Sequence, residues 1–138
     1  MPNAIKLLPG ALSLVLCAVS IAGGKPSAAN ATCGPPRLTI LSPAPGEMVR
    51  PPPEIRFRIR CFRVGPAPYG HLHAWTGPPG ASPRLELRPH RQSGMVVLPD
   101  PLLSGRRTLT FRLARANHAT VRNREARVVV RGVVFESP

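Results

Sequence analysis

Carboxylate side chains are scarce in this sequence, which has six acidic residues against 19 basic ones. The six are scattered along the chain, at Glu47, Glu54, Glu86, Asp100, Glu125 and Glu136. General acid–base catalysis by carboxylates needs two of them close together, and no spacing here singles out a pair. The serines lack the pattern of a nucleophile elbow, and no glycine-rich phosphate loop is present. The sequence therefore predicts a protein that is not an enzyme, with a mononuclear metal centre as the one route left to catalysis.

Aromatic residues and lysine are also rare. Aromatic side chains make up 4% of the chain, which leaves few platforms on which nucleic-acid bases could stack. Lysine occurs only at positions 6 and 25, so residues 32–138 carry 17 arginines, six acidic residues and a net charge of +11. Such a domain would attract an acidic envelope or matrix component, although a GC-rich coding sequence gives the same composition without selection for binding. The arginines expected to form a polyanion-binding face are Arg56, Arg58, Arg60, Arg112, Arg127 and Arg131.

Long hydrophobic runs are absent except near the start of the chain. A basic residue, Lys6, precedes a 12-residue apolar stretch at 11–22, and Ala29–Asn30–Ala31 is a small-residue cleavage site. The stretch is shorter than the ~20 apolar residues that span a bilayer. We interpret residues 1–31 as a signal peptide, with cleavage near residue 22 or an uncleaved signal anchor as alternatives. The mature domain, 32–138, is then secreted or periplasmic.

Cysteine is limited to three residues, and Cys17 lies within the predicted leader. In an exported chain the other two, Cys33 and Cys61, most simply form one disulfide. A Cys/His metal site is the alternative, but the two cysteines lack the close pairing of structural zinc ligands.

Short alternating segments dominate the mature region, and its prolines disfavour long helices. The alternation predicts seven strands, at 38–42, 54–62, 70–76, 84–88, 94–98, 108–114 and 126–135. Residues 55, 57, 59 and 61 are expected to face inward. Seven short strands in about 100 residues are typical of an immunoglobulin-like β-sandwich, so we expect an all-β domain of that kind.

Histidine supplies the one pattern that suggests chemistry. His71 and His73 alternate within the predicted strand 70–76 and should project from the same face, where an adjacent strand could bring His118 to them. Three imidazoles on a rigid sheet could bind zinc or copper. Trp75 is expected on the same face, so a hydrogen-bonded structural cluster is the alternative interpretation. His90 lies in a predicted loop and is expected to be exposed.

Three short motifs occur in an order that resembles small exported bacterial immunoglobulin-like domains of unknown function. The matching residues are Ser42, Pro43, Ala44, Gly46 and Val49; then Gly70, His71 and His73; then Leu113, Asn117 and His118. The chain departs from that pattern at the later turn, where Pro-Gly-x-His is replaced by Ser104, Gly105, Arg106 and Arg107. The resemblance implies the fold and export, and it assigns no activity.

Overall fold

The computed structural model describes residues 33–80, 82–100 and 103–137. The predicted leader, residues 1–31, lies outside the described residues. Within the described part of the chain no helix has the length and apolarity needed to cross a bilayer.

The described residues are organised as β-strands joined by short turns. The strands are β1 (Arg37–Ser42), β2 (Met48–Val49), β3 (Glu54–Arg60), β4 (His71–Trp75), β5 (Leu85–Leu87), β6 (Ser93–Val97), β7 (Gly105–Ala114) and β8 (Arg127–Phe135). A single 3-10 turn, Arg124–Ala126, precedes β8. All seven predicted strands are present with ends shifted by up to three residues, and the all-β class is confirmed. The two-residue strand β2 was not predicted, because it is too short to show alternation.

The strands form two sheets. One has three strands in the order β1-β3-β6, and the other has five in the order β2-β8-β7-β4-β5. Neighbouring strands are antiparallel except for β2, which pairs parallel to β8. The five-stranded sheet carries all the strands that surround the histidines.

One hydrophobic cluster contains side chains from both sheets. Alternation along β3 buries Ile55, Phe57 and Ile59 and exposes the residues between them. Their partners in the cluster from the larger sheet include Leu72 and Ala74 of β4, Leu109, Phe111 and Leu113 of β7, and Val130, Val133 and Phe135 of β8. These side chains fix which face of the larger sheet is turned inward.

A bulge changes the alternation in β8. Val130 and Val133 are both buried although they are three positions apart, an offset that puts side chains on opposite faces of a regular strand, and Gly132 between them has a φ of +70°. The register between β7 and β8 shifts at the same level of the sheet. Glycine suits this left-handed position because it lacks a Cβ.

Cys33 and Cys61 form a disulfide, with Cα atoms 5.2 Å apart. The expectation that Cys61 continues the inward face of β3 is wrong, since the strand ends at Arg60 and Cys61 has a φ of +57° and is half-buried. The left-handed residue turns the chain out of the sheet. The bond therefore ties the segment before β1 to the turn that follows β3.

Replacing Cys33 and Cys61 together with serine should lower the free energy of unfolding. The sequence separation is 28 residues, for which loop-closure entropy gives a loss of about 3–4 kcal/mol. Urea denaturation of the purified mature domain measures the difference, and reduced wild-type protein is the matched control. A loss below about 1 kcal/mol would show that the bond does not constrain the unfolded chain in this way.

Candidate metal centre

The site lies on the outward face of the five-stranded sheet. Leu72 and Ala74 of β4 enter the core, so His71, His73 and Trp75 take the opposite face. Both imidazoles are nevertheless inaccessible to solvent, with 0% of His71 and 1% of His73 exposed. The Trp75 ring packs edge-on against His73 with centroids 5.9 Å apart, which confirms the expectation that it shares their face.

Strand pairing sets the neighbours of His73. Its Cα is directly opposite Glu86 in β5 on one side and Arg112 in β7 on the other. Directly opposite residues in an antiparallel pair project to the same face, with Cβ atoms about 5 Å apart. The register therefore places one carboxylate and one guanidinium on either side of the buried ring.

Gly70 is needed at the start of the histidine strand. A Cβ at this position would overlap the Phe62 ring and lie 2.6 Å from the carbonyl oxygen of Ala114. The backbone of β4 can approach β7 this closely only where the side chain is absent. The glycine of the Gly-His-x-His motif thus has a packing role next to the site.

His118 reaches the site from the turn that follows β7. The His118 amide donates to the Arg115 carbonyl at 2.9 Å, the Arg115 amide donates to the Ala119 carbonyl at 2.9 Å, and the Ala119 amide donates to Asn117 Oδ1 at 3.1 Å. His118 itself has a φ of +65°. This compact turn directs its ring to within 4.9 Å of the His71 ring and 5.9 Å of the His73 ring, centroid to centroid. The predicted meeting of three histidines is present in the structure, although His118 comes from a turn and not from a strand.

Four side chains can offer ligand atoms to one ion. His71, His73, Glu86 and His118 each contribute an atom, and these atoms all lie within 4.8 Å of one another. The Nε2 atoms of His71 and His73 are 3.0 Å apart, Glu86 Oε2 is 3.3 Å from His118 Nδ1, and it is 4.0 Å from His71 Nε2. With metal–nitrogen bonds of about 2.0–2.1 Å, tetrahedral ligands are about 3.3–3.4 Å apart. The group could therefore hold a metal ion.

The two buried imidazoles are kept neutral by their surroundings. Burial lowers the pKa of His73 to about 4, and the charges of Arg84 and His71 act in the same direction while Glu86 opposes them. Burial also lowers the pKa of His71, against the opposing effect of Glu86. A neutral imidazole has the free lone pair that a metal needs, so both rings are ready to bind at neutral pH.

Glu86 stays ionised beside them. Burial raises the pKa of its carboxyl group, but Coulombic interactions with His71, Arg88 and His118, together with a hydrogen bond from Arg88, outweigh this and lower the pKa overall. Arg88 pairs with Oε1, while Oε2 faces the histidines. One carboxylate oxygen is thus directed at the site.

Hydrogen bonding of His71 and His73 is confined to one nitrogen of each ring. Two imidazole lone pairs 3.0 Å apart repel unless a proton or a cation lies between them. Among the described residues, neither His71 Nδ1 nor His73 Nδ1 has a hydrogen-bond partner. All the polar contacts of this pair are therefore made through Nε2, at the centre of the cluster.

The arginines that were predicted to form one polyanion-binding face lie on different sheets. Arg56, Arg58 and Arg60 are exposed on β3 of the smaller sheet, whereas Arg112, Arg127 and Arg131 belong to β7 and β8 of the larger one. The six do not form one surface, since they are distributed over two sheets. His90 is exposed and lies outside the four-residue group.

Glu86 is the site residue that sequence reasoning missed. It is the central residue of the predicted strand 84–88, and alternation already puts its side chain on a different face from Leu85 and Leu87. The pairing of that strand with the histidine strand could not be read from the sequence, so Glu86 looked like one of six scattered acids.

No protein-family model, no curated protein and no solved structure matches the chain. The function is therefore argued from the chain's own residues.

The metal-free domain should lose stability as the pH falls from 6.5 towards 4. The unfolded chain takes up a proton at His73 near its ordinary pKa of 6.5, whereas His73 in the folded chain stays neutral until about pH 4. The free energy of unfolding is therefore highest above pH 6.5 and falls as the pH decreases from 6.5 to 4. The lowered pKa of His73 corresponds to about 3 kcal/mol of unfolding free energy, at ~1.4 kcal/mol per pKa unit. Urea denaturation at a series of pH values in EDTA measures it.

The matched variants for this measurement are His73→Gln and His90→Gln. The first should reduce the pH dependence, leaving the contribution of His71, and the second, at an exposed loop position, should keep that of the wild type. A wild-type unfolding free energy that is constant between pH 4 and 6.5 would contradict the buried, neutral state of the ring.

Proposed function

We propose that this protein is an exported, non-enzymatic domain that binds one Cu(II) or Zn(II) ion through His71, His73 and His118, with Glu86 as a fourth ligand. The observation that carries the proposal is the pair of buried Nε2 atoms 3.0 Å apart, with a third imidazole and a carboxylate oxygen beside them. A proton can satisfy only the pair, whereas a metal ion can use all four groups.

The ligand set favours a transition metal. Three imidazoles and one carboxylate suit zinc and copper, whereas Mg²⁺ and Ca²⁺ prefer oxygen ligands. Copper(II) is expected to bind more tightly than zinc(II), following the general order of affinities for nitrogen ligands.

The solvent exposure of the proposed ligands differs within the site. His71 and His73 are fixed by burial in β4, while the side chains of His118 and Glu86 are 43% and 29% exposed. His71 and His73 are therefore suited to define the position of an ion, and His118 and Glu86 are suited to complete its coordination. Binding is proposed over catalysis because Glu86, the one carboxylate in the group among the described residues, serves as a ligand and leaves no second carboxylate there as a general base.

The immunoglobulin-like assignment and export belong to the same proposal. In an immunoglobulin-like domain strands A, B and E share one sheet and C, F and G the other. The sheet orders β1-β3-β6 and β8-β7-β4 agree with that division, with β1, β3 and β6 as A, B and E. Export is supported by the disulfide, which is typical of oxidising compartments. The resemblance to small exported bacterial domains stays a proposal beside these features.

Isothermal titration of the metal-free mature domain tests the proposal. Wild type should bind one Cu(II) or Zn(II) per chain and no Mg(II), and His73→Ala should weaken binding at least about 100-fold because a first ligand is lost. His90→Ala is the matched control and should bind like the wild type. Failure of wild type to bind, or equal binding by both variants, would leave a structural histidine cluster as the explanation.

Arginine near the site should weaken cation binding. The charge of Arg84 acts on both buried imidazoles, so Arg84→Gln should tighten Zn(II) binding by roughly three- to tenfold at low salt. Arg37→Gln, which removes the same charge from the smaller sheet, is the control and should have little effect. If the two variants change the Zn(II) affinity equally, the net charge of the domain and not this local contact is responsible.

A further inference from the structure

A second cleft on the larger sheet is surrounded by guanidinium groups. Its volume is about 400 Å³, and it is lined by Arg112, Thr120, Val121, Arg122, Asn123, Arg124 and Arg127. Four of its seven lining residues are therefore arginines. None of them belongs to the histidine group.

Backbone pairing brings these arginines together. Arg112 in β7 is directly opposite Arg127 in β8, so the two side chains share one face of the sheet. Arg122 and Arg124 flank Asn123, whose Nδ2 donates to the carbonyl oxygen of Pro36 at 2.7 Å. The 3-10 turn that follows ends at Ala126, which is fully buried. The segment that supplies Arg122 and Arg124 is thus held at Asn123 and by the buried Ala126 that follows.

The charges in this cleft are not compensated within the described part of the chain. No carboxylate there lies within ion-pair distance of the four guanidinium groups. Like charges directly opposite each other in a sheet destabilise it, so the Arg112–Arg127 pair costs folding free energy. Arg112 Nε is in addition buried, with no hydrogen-bond partner among the described residues. A buried, unpaired donor on a charged group is costly unless an acceptor reaches it.

We propose that this cleft binds a phosphate or sulfate group. Planar guanidinium groups form paired hydrogen bonds with tetrahedral oxyanions, and several positive charges along one cleft raise the local concentration of anions. The volume exceeds that of one such group, which favours an oxyanion that is carried by a larger molecule. The cleft shares no residue with the proposed metal centre, although Arg112 lies directly opposite His73 in the sheet.

Isothermal titration of the metal-free mature domain with inorganic phosphate, at constant ionic strength with NaCl as the balancing salt, tests the site. Wild type should bind one phosphate. Arg127→Gln and Arg112→Gln should each weaken binding by roughly tenfold or more, because each removes a charge-assisted contact. Arg124→Gln, at an exposed position, is a third variant that keeps the test valid if Arg112→Gln fails to fold.

Two controls separate the cleft from the general charge of the domain. Arg58→Gln and Arg37→Gln each remove the same charge from the smaller sheet and should bind phosphate like the wild type. Phosphate binding that is equal in Arg127→Gln and Arg58→Gln, or absent from wild type, would overturn the proposal. A wild type that binds phosphate but neither Cu(II) nor Zn(II) would overturn the metal site alone.

The source of the oxyanion is distinguished with glycerol 3-phosphate as a second probe. Binding at least as tight as that of inorganic phosphate supports a phosphate group carried by a larger molecule. Weaker binding supports the free ion as the ligand of the same cleft.

Discussion

The candidate site depends on the buried Nε2 atoms of His71 and His73, which lie 3.0 Å apart. Alternation along β4 sends both rings to the outward face, and Trp75, Glu86 and the turn that carries His118 surround them there. Burial keeps both rings neutral, and two neutral nitrogens at this distance are satisfied either by an N–H···N hydrogen bond between the rings or by a metal ion that takes both lone pairs. The metal ion is proposed because His118 and Glu86 offer further ligand atoms beside this pair.

Charge changes sign across the sheet at the level of this site. Successive pairings place Glu86, His73, Arg112 and Arg127 in one row, from a carboxylate to two guanidinium groups. A cation is favoured at the end with Glu86 and an anion at the end with the arginines. The two proposed sites are therefore neighbours on one rigid sheet with opposite ligand preferences.

Much of the fold and part of the site could be predicted from the sequence. Period-2 alternation located the longer strands, and the spacing of His71 and His73 predicted their common face, because both features are local. The sequence did not reveal that Cys61 turns out of β3, since nothing in the pattern marks its left-handed backbone. It also did not reveal Glu86 or the division of the arginines between two sheets, because both depend on the order in which distant strands pair.

The most direct test is a crystal structure of the zinc-loaded domain with anomalous diffraction data collected at the zinc absorption edge. The account predicts one anomalous peak within bonding distance, about 2.0–2.1 Å, of His71 Nε2, His73 Nε2 and a ring nitrogen of His118. A peak found only at exposed His90 would contradict the account. So would the absence of a peak between the buried rings when titration shows that zinc saturates the domain in solution.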